Sequence, residues 1–141
     1  MRAVWVLFLS LCVAGIAVAQ DQASKWDGAS GMYTFLHGDD TVQIVIQHGK
    51  LSGYVTRKEH GTLVDQKFQS ALLEGDRMTW STVPTHGTYY TFEGQLTHDA
   101  NAAKDKRGFY KIKGTVTVHE SGKQQEKQIT MQSLPESQQK S

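Results

Sequence analysis

Five glycines recur along the chain at an almost constant step: Gly31, Gly53, Gly75, Gly94 and Gly114 lie 22, 22, 19 and 20 residues apart. Three of them share one local phrase: Leu51-Ser52-Gly53-Tyr54-Val55-Thr56, Phe92-Glu93-Gly94-Gln95-Leu96-Thr97 and Ile112-Lys113-Gly114-Thr115-Val116-Thr117. Apolar residues two positions to either side of a glycine give a period of two, the mark of a strand with one buried face. A step of about 20 residues is the length of two typical strands with their turns. The chain reads as a meander of β-hairpins.

The first 19 residues read as a targeting segment rather than part of that meander. Arg2 supplies a positive charge, Ala3 to Ile16 is an apolar run, and Ala17-Val18-Ala19 has the small-x-small form of a signal-peptidase site. The run is shorter than the roughly 20 residues a membrane span needs. A lipid anchor at Cys12 is excluded, because that cysteine lies inside the apolar run. The expected product is exported, periplasmic or extracellular, with no membrane span once the signal is removed. Cys12 leaves with the signal, so the 122 residues that follow contain no cysteine. Disulfides, thiol catalysis and cysteine-based zinc sites are thereby excluded. Fourteen basic residues balance fourteen acidic ones in that part, which leaves no basic field for nucleic acid.

Eight strands are expected at about residues 30–37, 41–48, 50–58, 62–73, 77–83, 87–97, 107–119 and 124–133, each bounded by turn residues. One face collects Tyr33, Val42, Ile44, Leu51, Val55, Phe68, Met78, Trp80, Phe92, Ile112, Val116 and Met131. The other carries Gln43, Thr56, Thr79, Glu93, Lys113, Thr115 and Thr117. One apolar and one wet face call for antiparallel strands around a single interior. Closing the sheet removes its edges, so the expected fold is all-β, an up-and-down eight-stranded barrel over residues 30–133. Residues 20–29 are expected to be a flexible lead-in, and 134–141 a disordered tail.

The opening hairpins carry a likeness. Gly31-Met32-Tyr33, the turn glycine Gly38 and Gly49-Lys50-Leu51-Ser52-Gly53-Tyr54 are similar to the start of an avidin, among the small secreted meander barrels of the lipocalin and avidin kind. The likeness covers about a fifth of the chain after the signal and implies a barrel that holds small apolar ligands. It does not extend to the biotin site. Phe35, Asp39 and Val55 stand where an avidin has its asparagine, small hydroxyl and tyrosine, and Trp80 is the only tryptophan after Trp26. The Gly-x-Trp of lipocalins is reversed in Trp26-Asp27-Gly28.

Seven aromatic residues are expected to line the interior: Tyr33, Phe35, Phe68, Trp80, Tyr90, Phe92 and Tyr110. A barrel of eight strands is wide enough either to be filled by side chains or to hold one small ligand. Four histidines precede glycine, at His37, His48, His60 and His86. In a strict meander His37, His60, His86 and His119 share one rim with Asp39, Asp40, Glu59 and Glu120, which makes those histidines the metal-site alternative to plain turn residues. No catalytic or phosphate-binding signature is present. The expected function is therefore non-catalytic binding of a small apolar or amphipathic molecule, without a cofactor. The alternatives are a packed structural or interaction module of the cell envelope or extracellular space, and a metal-dependent protein using the rim.

Overall fold

The computed structural model describes residues 25–139, so the signal-peptide reading lies outside the described residues. Eight strands run in order: β1 Gly31–Thr34, β2 Thr41–Gln47, β3 Lys50–Glu59, β4 Thr62–Glu74, β5 Arg77–Thr82, β6 Thr88–His98, β7 Tyr110–Glu120 and β8 Lys123–Gln132. Each pairs antiparallel with the next, giving one sheet of order β1-β2-β3-β4-β5-β6-β7-β8. The all-β up-and-down meander expected from the glycine step is the observed topology. The sheet curls into a half-barrel. Its edges meet at one end only, through a bridge between Tyr33 and Ser133 and a bond from the Leu134 N–H to the Met32 carbonyl at 2.8 Å. The rest of β8 faces outward with Lys123, Gln124, Gln125, Glu126 and Gln128 exposed, polar residues that discourage edge-to-edge association.

Hairpin turns fix the register. Three two-residue loops, His48-Gly49, His60-Gly61 and Ser121-Gly122, have both residues at positive φ, as does His86-Gly87 between Thr85 and Thr88, which bond to each other in both directions. Positive φ at both positions is the type I′ turn, whose twist matches that of paired strands. Three of the four histidine–glycine pairs are therefore accounted for by backbone geometry, since histidine tolerates the left-handed region better than most residues.

The glycine rows let backbones pass closely. A side chain at Gly114 would collide with the Glu93 carbonyl of β6, and one at Gly53 with the Gln43 carbonyl of β2. Phe68 lies over Gly53 and Phe92 over Gly94, so aromatic rings fill the slots that the glycines leave, a known device of curled sheets.

Three local features depart from the sequence reading. β4 bulges between Phe68 and Ser70, which shifts the alternation so that Ala71 and Leu73 face the core. Within the lead-in read as flexible, Asp27–Ala29 forms a 3-10 turn, with Trp26 and Ala29 buried. Its anchor is Ser30, whose hydroxyl accepts from the Ile46 N–H at 2.9 Å and donates to the Ile46 carbonyl at 3.1 Å, extending β1 along β2. The tail read as disordered continues past the Leu134 bond into a four-residue helix, Glu136–Gln139, beside β1.

Substituting Gly114→Ala is expected to lower stability by at least roughly 1–3 kcal/mol, as overpacking does. Gly38→Ala, with open space around the added methyl, should stay within about 0.5 kcal/mol. Urea unfolding of both variants checks the contrast, and equal stability would mean the strands do not pass as closely as described.

Candidate functional site

The aromatic residues singled out in the sequence divide into two groups inside the sheet. Five come together. Phe68 and Trp80 stack at 4.6 Å with their planes 11° apart, and Trp80 stacks on Phe92 at 5.3 Å. Phe35, from the β1–β2 loop, meets Tyr90 edge-on at 5.3 Å and lies 6.1 Å from Trp80. Trp80, Tyr90 and Phe92 are buried, while Phe35 and Phe68 are half-buried.

The other two, Tyr33 and Tyr110, belong to a separate cluster with Trp26, Phe109 and His98. Trp26 sits 6.4 Å from Tyr110 and 6.0 Å from His98, and Phe109 meets Tyr110 at 4.7 Å. The Tyr33 hydroxyl donates to the Ala29 carbonyl at 2.6 Å. Burial, and then the neighbouring Tyr110, push the Tyr33 phenol far above its ordinary pKa. A neutral, hydrogen-bonded phenol of this kind is a structural plug. Neither tyrosine reaches the five-ring cluster through a ring contact.

Trp80 is unusual among these rings. It is 2% exposed, and its indole Nε1 is the one buried side-chain polar atom among the described residues without a hydrogen-bond partner. Leaving a buried donor unsatisfied costs about 1–3 kcal/mol. The other buried polar groups nearby are satisfied. Thr82 Oγ1 accepts from the Tyr90 N–H at 3.0 Å. Gln66, 1% exposed, donates from Nε2 to the Val83 and Thr88 carbonyls at 3.1 and 2.9 Å and accepts from Arg57 Nε at 2.8 Å. Gln66 thus clamps the 83–88 turn to β4. The sequence reading missed it, although its place two residues from both Val64 and Phe68 puts it on the inward phase.

The rim at this end is polar. Arg57 reaches the Thr85 carbonyl at 3.3 Å and Glu59 at 3.4 Å, and His86 Nδ1 is 2.9 Å from Glu59 Oε2. The contact with His86 holds the Glu59 carboxyl below its ordinary range; partial desolvation opposes this, and Arg57 assists. Asp40, 7% exposed, accepts the Lys58 N–H at 3.3 Å. Burial raises the Tyr90 phenol, against the pull of Arg57 and with Asp40, Glu120 and Glu59 adding to the rise.

The four rim histidines do not act as a set. His86 pairs with Glu59, while His119 stacks on Tyr89 at 4.1 Å and is hydrogen-bonded to Thr91. His37 gives its carbonyl to the Asp40 N–H, and His60 occupies its turn. Among the described residues no three His, Cys, Asp or Glu side chains stand close enough to hold a metal ion. No described helix is long and apolar enough to cross a membrane.

A trough of about 780 Å³ over β4 to β8 is lined by the outward-phase residues Ser70, Thr79, Ser81, Thr91, Thr115 and Thr117, and Trp80 and Phe92 of the ring cluster also border it. Comparison of the chain with protein-family models, curated protein sequences and solved structures gives no match. The site is therefore read from its own geometry.

Trp80→Ala should cost about 3–5 kcal/mol, the range for emptying a buried aromatic position; a loss below 1 kcal/mol in urea unfolding would place Trp80 outside the core. Glu59 carries a pH signature. Its folded pKa is depressed, so its stabilisation is present above the ordinary glutamate range and is lost as pH falls through the folded value. The thermal midpoint of the wild type should exceed that of Glu59→Gln at pH 7, and the gap should close as pH falls below the ordinary carboxylate range. A difference independent of pH would contradict the ionic origin of the contact.

Proposed function

We propose that this is an exported, non-catalytic binding protein that takes a small apolar or amphipathic molecule among Phe35, Phe68, Trp80, Tyr90 and Phe92. The observation that carries the reading is the unpartnered Trp80 indole N–H at the centre of those rings. A donor kept dry and unpaired gains most from a guest that brings an acceptor oxygen or nitrogen. The rings supply dispersion and the apolar surface that such a guest needs. Phe35 and Leu36 pack half-buried against the core from a loop rather than a strand. The curled meander is lipocalin-like in general shape, and the proposal extends that likeness to carriage of small ligands.

A second reading has its own support. The outer trough over β4 to β8, with exposed Leu72 at its margin, suits a structural or interaction module whose stacked rings serve only as core. The two readings share Trp80 and Phe92 and differ in whether the guest meets the rings or the outward-phase hydroxyl residues.

Titration with 6-propionyl-2-dimethylaminonaphthalene, a neutral apolar fluorophore whose ketone oxygen is an acceptor, separates them. Saturable 1:1 enhancement is expected, weakened at least about fivefold in Trp80→Phe and unchanged in the outer-face variant Thr117→Lys. Binding that is lost in Thr117→Lys and kept in Trp80→Phe would move the site to the outer face.

A further inference from the structure

The indole of Trp80 can be approached in one way only. Phe68 stacks on it at 4.6 Å and Phe92 at 5.3 Å, with planes 11° and 25° from its own. Those rings come from β4 and β6, the strands on either side of β5, so they cover opposite faces of the indole. A guest therefore meets Trp80 at the ring edge, which carries the unpartnered Nε1–H. Phe35 stands 6.1 Å from Trp80, tilted by 46°, and meets Tyr90 at 83°. Phe35 and Tyr90 lie outside the parallel stack and are the rings left to meet the body of a guest.

Donors and acceptors then limit the chemistry. Among the described residues every other buried side-chain nitrogen or oxygen has a hydrogen-bond partner. The interior thus holds one spare donor and no spare side-chain acceptor. A guest with an acceptor and no hydrogen to donate balances that inventory. An alcohol or a protonated amine brings a hydrogen for which no side-chain acceptor waits, and leaving it unpaired offsets any bond gained at the indole. A carboxylate would shed its hydration where no cation replaces it, since no lysine or arginine is buried among the described residues.

We propose that the guest is an uncharged carbonyl compound, a ketone, quinone or ester on an apolar body. Its oxygen enters first and accepts from the Trp80 Nε1–H, and its body lies against Phe35 and Tyr90. The assignment rests on the interior-site reading and adds to it the class of the polar group and the direction in which it points.

Four probes with one body test this: 2-acetylnaphthalene, 1-(2-naphthyl)ethanol, 2-naphthoate and 2-ethylnaphthalene, each bound to the whole protein in equilibrium dialysis at pH 7. The ketone is expected to bind about tenfold tighter than the alcohol, the order of one buried hydrogen bond, with the carboxylate weakest. In Trp80→Phe, which keeps a ring between Phe68 and Phe92, the ketone should weaken about tenfold. The hydrocarbon should bind that variant as it binds the wild type, which shows the fold intact. Should the variant not fold, the wild type decides through the infrared carbonyl stretch of the bound ketone, expected at lower wavenumber than in hexane. An unshifted stretch, equal affinities for ketone and alcohol, preference for the alcohol or the carboxylate, or an unweakened ketone in folded Trp80→Phe overturns the carbonyl assignment and leaves the interior site standing. No saturable binding by any of the four removes both.

Discussion

The close passage of neighbouring backbones at the glycine positions is the constraint on which the rest of this structure depends. Where β6 and β7 meet at Gly94 and Gly114, and where β2 and β3 meet at Gly53, any side chain would strike a carbonyl of the neighbouring strand. Removing those side chains lets the sheet bend sharply toward its own apolar face. The bend also leaves gaps that only flat rings from neighbouring positions can fill. Phe68 over Gly53 and Phe92 over Gly94 fill them, and Trp80 is held between those two rings. The aromatic stack and the curl are thus one feature, written in the sequence as glycine and aromatic residues on the same strand phase.

The two ends of the half-barrel are chemically unlike. At one end Trp26, Tyr33, Phe109 and Tyr110 close the interior, and the Tyr33 hydroxyl is committed to the Ala29 carbonyl. At the other, Gln66 and Arg57 hold the 83–88 turn and His86 pairs with Glu59, so this end is polar.

Much of the fold was legible because it is encoded locally. Alternation over four to thirteen residues and turn signals at fixed offsets are properties of adjacent residues, and they placed all eight strands. Histidine before glycine was legible as a pattern but not as a cause. The positive φ values at His48, His60 and His86 show that turn twist selected the pair. What was not legible depends on partners distant in sequence. The β4 bulge is set by where β5 and β3 part company, the burial of Trp26 by a turn that caps β2, and the order of residues 134–139 by a seam with β1. The site was legible as a list of rings. Its division into a five-ring cluster and a two-tyrosine plug required the curl.

Native mass spectrometry of the protein, purified without detergent from the cells that make it, tests the central claim most directly. The account predicts a bound species of a few hundred daltons at one per chain, retained under gentle ionisation and lost on denaturation or in Trp80→Phe. A bare chain that also fails to take up small molecules from an extract of those cells would contradict it, and would leave the stacked rings as core alone.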